Sequence, residues 1–289
     1  MFSFCRVWGI TKKLKLFYKK TPHNNKLKTT LQAIHNMEHK DSTTIMYEEF
    51  KQNLENTTKK TRRAPVQHLL KTQYIEDPNV FEIGVDEAGR GPLFGRVYSG
   101  AVILPKDDSF DHSLMKDSKK FHSRKKINEV AEYIKSHSLA WGIGYSTEQT
   151  IDDINILQAT QRSMHKAIDN AIQQLGKKQD SPNDSELYLL VDGNYFIPYK
   201  DPRSKSAYVS YTTVEGGDNA YSCIAAASIL AKVARDDYID QLCAENPELD
   251  EYYGIASNKG YGAKRHLDGI KEHGITIWHR RSFGICKNY

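Results

Sequence analysis

Two short, strand-like apolar runs in this chain stop on carboxylates. Phe81-Glu82-Ile83-Gly84-Val85 leads straight into Asp86-Glu87, and Leu187-Tyr188-Leu189-Leu190-Val191 into Asp192. The second run is apolar on both faces, as a strand covered on both sides of an α/β sheet must be. Open α/β sheets place their ligand sites at the C-terminal ends of strands. If the two runs are neighbours, three carboxylates meet at one edge of the sheet. Successive side chains of a strand point to opposite faces, so Asp86 and Glu87 share a site only if their strand ends there. The Ala88-Gly89 turn supplies such an end. A cluster of this kind repels itself unless a cation neutralises it, and all-oxygen donors suit Mg²⁺ or Mn²⁺ rather than zinc.

The surrounding pattern predicts the rest of the sheet. Residues 97–104 and 139–145 are β-rich, and 207–214 gives a fifth strand. Residues 154–175 carry a helical stripe of Leu157, Met164, Ala167, Ile168, Ala171, Ile172 and Leu175. A long helix after Asp218 places Cys223, Ala227, Leu230, Ala234 and Tyr238 on one face. Strands that first cluster and then alternate with helices imply a mixed sheet with helices packed on it, and the chain ends in a helical region.

Charge divides the chain. Of its 41 Lys+Arg and 36 Asp+Glu, residues 1–80 hold 15 and 7, a surplus of +8; the remaining 26 and 29 leave −3. The basic character therefore belongs to an extension, taken as residues 1–78, ahead of a folded domain at 79–289. Residues 1–40 are basic and nearly free of acids. They can be read as an organelle-targeting peptide, a nucleic-acid-binding arm or a solvated tail; unless they direct the chain to an organelle or the nucleus, the expected location is cytoplasmic. Lys59-Lys60-Thr61-Arg62-Arg63 reads as linker. No uncharged apolar run reaches the length of a membrane helix, since the longest, 221–231, stops at Lys232. Four scattered cysteines exclude a disulfide scaffold or a four-cysteine zinc site.

Gly89-Arg90-Gly91-Pro92 follows the first acids, where glycine lets backbone N–H groups approach a ligand. It lacks the Gly-Lys-Ser/Thr of a nucleotide phosphate loop and the spacing of a dinucleotide fingerprint. Taken singly, each acid has a plainer reading. Asp192 before Gly193 is a turn residue as readily as a ligand. Asp218 is expected to cap the long helix, and Asp236 and Asp237 read as solvated helix acids. Arg280-Arg281 reads as a solvated charge pair or a nucleic-acid contact. His266, His273 and His279 read as packing or surface residues.

Together these stretches resemble the ribonuclease HII family. The resemblance rests on Gly84-Val85-Asp86-Glu87-Ala88-Gly89-Arg90-Gly91-Pro92-Leu93, Asp117-Ser118-Lys119-Lys120-Phe121 and Leu190-Val191-Asp192-Gly193-Asn194. It continues through the run from Ala225-Ala226-Ala227-Ser228 to Arg235-Asp236, Lys259-Gly260-Tyr261 with His266, and His279-Arg280-Arg281-Ser282-Phe283-Gly284. These occur in the family's order.

The resemblance implies a ribonuclease H-like mixed five-stranded sheet flanked by helices, with a C-terminal helical region. It implies an endonuclease that cuts the RNA strand of RNA–DNA hybrids and incises duplex DNA at embedded ribonucleotides, leaving 5′-phosphate and 3′-hydroxyl ends. By motif, Asp86, Glu87 and Asp192 are metal ligands for two Mn²⁺ or Mg²⁺ ions, and Asp218 is a fourth catalytic acid. Gly89, Arg90 and Gly91 contact the ribonucleotide, Tyr261 stacks beside its sugar, and Lys119 and Lys232 contact phosphates. A monomer without an obligate protein partner is expected. The chain departs from the family where Glu215-Gly216-Gly217 precedes Asp218, where Gly262 follows Tyr261, and at Arg96. A silent hybrid-binding protein and a different two-metal nuclease or phosphoryl-transfer enzyme on the same fold are the competing readings.

Overall fold

Five strands form one mixed sheet in the order β3-β2-β1-β4-β5. They are β1 (Val80–Ala88), β2 (Val97–Ile103), β3 (Ala140–Ser146), β4 (Glu186–Asp192) and β5 (Ser210–Val214). The first three pair antiparallel, while β4 lies parallel to β1 and β5 parallel to β4. This is a computed structural model, and it describes residues 69–178, 186–201 and 208–289. The expectations for residues 1–40, for the 59–63 cluster and for the start of the 207–214 strand lie outside the described residues. All described residues belong to one unit, His68–Tyr289. Its first turns are tied to the sheet: the Tyr74 and Ile75 amides donate to buried Glu82, and Lys71 bridges to Tyr221.

The central strands are covered on both faces. Ile83, Val85, Leu189 and Val191 pack with Met164, Ala167, Ile168 and Ala171 of α2 (Glu148–Lys178). That helix breaks at Asn155, φ +67°, whose side chain accepts the Gln158 amide and caps the second segment. The opposite face meets α3 (Ser222–Glu245), backed by α1 (Arg124–His137). Helix α1 is absent from the sequence expectations, although Ser123 caps it and Ile127, Val130, Ala131 and Ile134 form its buried stripe. With the sheet on one side and α1 on the other, every residue of α3 from Ser222 to Ala231 is buried, rather than one apolar face alone.

Contact between α3 and the sheet depends on two glycines. A Cβ on Gly84 would stand 2.2 Å from the Cys223 carbonyl carbon, and one on Gly100 2.4 Å from the Ala227 oxygen. Only glycine lets the helix backbone sit this close.

The C-terminal helices α4 (Glu248–Tyr253), α5 (Ile255–Asn258) and α6 (Lys264–His273) enclose a separate cluster with the end of α3. Phe94, from the loop between β1 and β2, is fully buried in it. Among the described residues no helix is long and apolar enough to cross a membrane.

Candidate active site

The parallel register of β1 and β4 decides where the acids fall. Val85 pairs with Val191, so Asp86 and Asp192, the next residues along, stand level on adjacent strands. Contrary to expectation, β1 does not end at the acids. It runs through both to Ala88 because β2 continues to pair with it, Asp86 opposite Gly100 and Glu87 opposite Ser99. The two carboxylates therefore take different neighbours. Asp86 is buried toward α3, where the Ser228 hydroxyl hydrogen-bonds it, and its Oδ1 accepts the Glu87 amide at 2.7 Å. Glu87 is more open and accepts Arg90 Nη1 at 3.3 Å.

Asp218 completes the group from a 3-10 turn, Gly217–Asn219, and does not cap the long helix. Tyr221 holds that cap position and forms no side-chain bond there. The turn lies beside Asp192, whose Oδ1 accepts the Gly217 amide at 2.7 Å.

Mutual charge marks these acids as one cluster. Burial, then the charges of Glu87 and Asp192, hold the Asp86 carboxyl well above the usual carboxylate range. Burial raises Glu87 too, opposed first by Arg90, while Asp192 adds to the rise and Lys119 lowers it. Burial raises Asp218, with Asp117 and Asp192 reinforcing and Lys119 opposing. Among the described residues no three His, Cys, Asp or Glu side chains close round a single ion. An open, all-oxygen set of this kind fits a hard cation held by one or two carboxylates, with water and substrate phosphate filling its other positions.

The remaining predicted residues divide. Lys119, exposed on the 3-10 turn Ser118–Lys120, faces Glu87 and Asp218 electrostatically. Beside it an open groove of about 320 Å³ is lined by Lys116, Lys120, His122, Lys125 and Lys126. Gly91 and Tyr261 are brought together: a Cβ on Gly91 would lie 3.6 Å from the half-exposed Tyr261 ring. Lys232 is held by another acid. Its Nζ donates to Asp236 Oδ2 at 2.8 Å, the oxygen that also accepts Arg124 Nη1. Asp236 is accordingly buried and paired rather than solvated, whereas Asp237 is exposed. The reading of Arg280 as solvated is also overturned: it is fully buried, while Arg281 beside it is exposed.

Ser228 was not singled out as a site residue, nor was Arg235. Arg235 is buried and donates to the carbonyls of Phe94, Arg96 and Lys259. Neither residue has a sequence neighbour that reveals its partner.

A mixed five-stranded sheet with carboxylates near the C-terminal ends of adjacent strands β1 and β4 is the architecture of the ribonuclease H-like fold. Solved structures share this architecture: a Pyrococcus horikoshii ribonuclease H2 is 20% identical, with a TM-score of 0.50, covering 72% of this chain and 96% of its own. Bst-RNase HIII, solved in complex with Mn²⁺, is 16% identical with a TM-score of 0.55, covering 73% and 70%. The family Ribonuclease HII matches residues 83–286, and the chain belongs to it. Ribonuclease HII of Phocaeicola vulgatus is 44% identical over 209 residues, spanning 72% of this chain and 90% of that protein. The Bacteroides thetaiotaomicron enzyme is 42% identical over 207 residues, spanning 72% and 91%. The chain is thus a ribonuclease H, an endonuclease acting on the RNA strand of RNA–DNA hybrids.

Proposed function

We propose that Asp86, Glu87 and Asp192 hold divalent cations, Mg²⁺ or Mn²⁺, with two ions engaged when substrate is present. Asp218 serves as the fourth acid of the reaction. The observation that carries this reading is the β1–β4 register, which sets Asp86 level with Asp192, together with the Gly217 amide on Asp192 Oδ1, which brings the turn of Asp218 beside it. Ions bound there would polarise the scissile phosphate and activate water, giving 5′-phosphate and 3′-hydroxyl ends.

The chain's own residues position the strand. The amides of the 89–91 loop and the Arg90 side chain hold the ribonucleotide and its phosphates, and Tyr261 stacks beside the sugar. The 2′-hydroxyl is the mark by which such a reader separates one ribonucleotide from DNA, so duplex DNA with a single embedded ribonucleotide is a substrate. Lys119 and the basic groove beside it steady the backbone by charge. Lys232 reaches a phosphate only by sharing its bond to Asp236. Residues 79–289 form the catalytic domain and act as a monomer, with 1–78 an extension whose last residues pack on the sheet. Its location is cytoplasmic unless residues 1–40 direct it to an organelle or nucleus.

The test is cleavage of end-labelled duplex DNA carrying one ribonucleotide, in Mg²⁺, Mn²⁺ or EDTA, beside an all-DNA duplex and Asp192→Asn. Metal-dependent cutting 5′ to the ribonucleotide, absent from folded Asp192→Asn, is the expected result. Cutting in EDTA, or by Asp192→Asn at the wild-type rate, would overturn the assignment. Binding of hybrid without cutting by the wild-type protein would favour the silent binder.

A further inference from the structure

The buried dipeptide His279-Arg280 lies behind both halves of the ribonucleotide reader. Among the described residues Arg280 has no acidic partner within hydrogen-bond reach. Its Nε donates to Gly95 O at 2.8 Å, Nη1 to Arg90 O at 3.0 Å and Pro92 O at 2.8 Å, and Nη2 to Gly89 O at 2.6 Å. Burial, then the charge of Arg235, push the guanidinium down to about 9, still charged at neutral pH.

In a planar trans peptide the C=O of one residue and the N–H of the next point in opposite directions. Drawing the Gly89 and Arg90 carbonyls onto Arg280 therefore turns the N–H groups of Arg90 and Gly91 away from it. Among the described residues neither amide donates to a protein acceptor. Two outward amides beside an Arg side chain form an anion-binding concavity.

His279 reaches the other half. Its Nδ1 accepts the Thr276 amide at 2.9 Å, so in the neutral ring the proton sits on Nε2. Burial, then His266, push His279 down to about 3, which keeps it neutral. Nε2–H donates to His266 Nε2 at 3.0 Å, and this leaves His266 Nδ1–H to donate to Tyr261 O at 2.8 Å. Each bond fixes the tautomer of the next ring. The segments are stitched together as well: Phe94 bridges His279, the Arg280 amide donates to Leu93 O, and the Leu93 amide to Gly260 O.

We infer that His279 and Arg280, with His266, are positioning residues that set the 89–91 loop and Tyr261 as one unit. This rests on the reading of those residues as the ribonucleotide reader. Affinity comes mainly from phosphate contacts along the duplex, so loosening the reader lowers kcat and leaves KM nearly unchanged.

The test compares two polar replacements of one ring in the full chain. Asn places its amide near ring Nδ1 and keeps the bond to the Tyr261 carbonyl, as in His266→Asn. Gln reaches the Nε2 position and keeps only the His279 side, as in His266→Gln. With a single-ribonucleotide duplex and saturating Mn²⁺, His266→Gln is expected to lose kcat by about tenfold or more, KM staying within about twofold. His266→Asn should stay within about threefold of wild type. Arg280→Lys should also lose kcat, and combined with His266→Gln the losses should be less than multiplicative, because one unit has been loosened twice. Equal kcat for the two His266 variants, or multiplicative losses in the double variant, would overturn the inference. Wild-type protein run beside them separates the failures. If it does not cut this duplex, the substrate reading fails and takes the inference with it; if it cuts and His266→Gln cuts equally, only the inference fails.

Discussion

Gly84→Ala tests whether the close seat of α3 sets the acids. The new Cβ would lie 2.2 Å from Cys223 C, 2.4 Å from its oxygen and 2.5 Å from Ile224 N. Carbon atoms settle at about 3.5–4.0 Å, so α3 must retreat by about 1.3 Å, and backbone has no rotamer with which to swing aside. Overpacking of this kind costs about 1–3 kcal/mol. In a domain of this size each kcal/mol lowers Tm by about 2–4 °C, so the expected fall is about 2–12 °C. The effect on rate is separate. Ser228, which hydrogen-bonds Asp86, rides on the same helix, and a misplacement on the order of 1 Å costs about a hundredfold. Thermal unfolding and single-ribonucleotide cleavage at saturating Mn²⁺ measure the two. Gly262→Ala is the contrast: among the described residues its Cβ meets only Leu93 and Leu267, at 3.7 and 3.8 Å, and Tm should hold within about 2 °C. Gly84→Ala that melts with wild type and cuts at the wild-type rate would refute the packing argument.

Two further outcomes follow from the site and its anchor. Because Asp86 is held above its ordinary value, the folded protein binds that proton more tightly than the unfolded chain. The resulting stability is complete below the unfolded value of about 3.9 and is lost as pH rises through the raised one. Asp86→Asn should therefore melt higher than wild type at neutral pH in EDTA while losing cleavage; a Tm at or below wild type would contradict this. Phe94→Ala, which empties a fully buried ring position among the C-terminal helices, should cost about 3–5 kcal/mol in urea unfolding. A loss under about 1 kcal/mol would mean that the loop is not anchored through this ring.

Asp86, Glu87 and Asp192 were legible because they follow apolar runs long enough to read as strands and stand beside glycine turns. What escaped was burial imposed from outside the segment. Arg280 and Arg281 are identical in sequence terms, yet one satisfies its guanidinium with loop carbonyls and the other faces solvent. Arg124, far back in the chain, pairs with both Asp236 and Asp237, yet only Asp236, which also accepts Lys232, is buried. The apolar stripe along α3 could not reveal that α1 covers its other side. Helix α1 itself was readable, with Ile127, Val130, Ala131 and Ile134 at helical spacing. The continuation of β1 through Asp86 and Glu87 was not, since only pairing with β2 prolongs it.

The parallel pairing of β1 with β4 also governs when the enzyme comes to exist during synthesis. Asp86 leaves the ribosome early, with β2, β3 and the long α2 still to come before Asp192. The antiparallel strands can pair as they emerge, but β4 must insert beside β1 after that long excursion, a non-local closure that slows folding. Until it does, the early acids, though paired to β2, lack the strand that sets Asp192 beside them. A nascent chain in which β4 has not yet joined β1 is therefore expected to lack nuclease activity, because Asp192 is not yet beside Asp86.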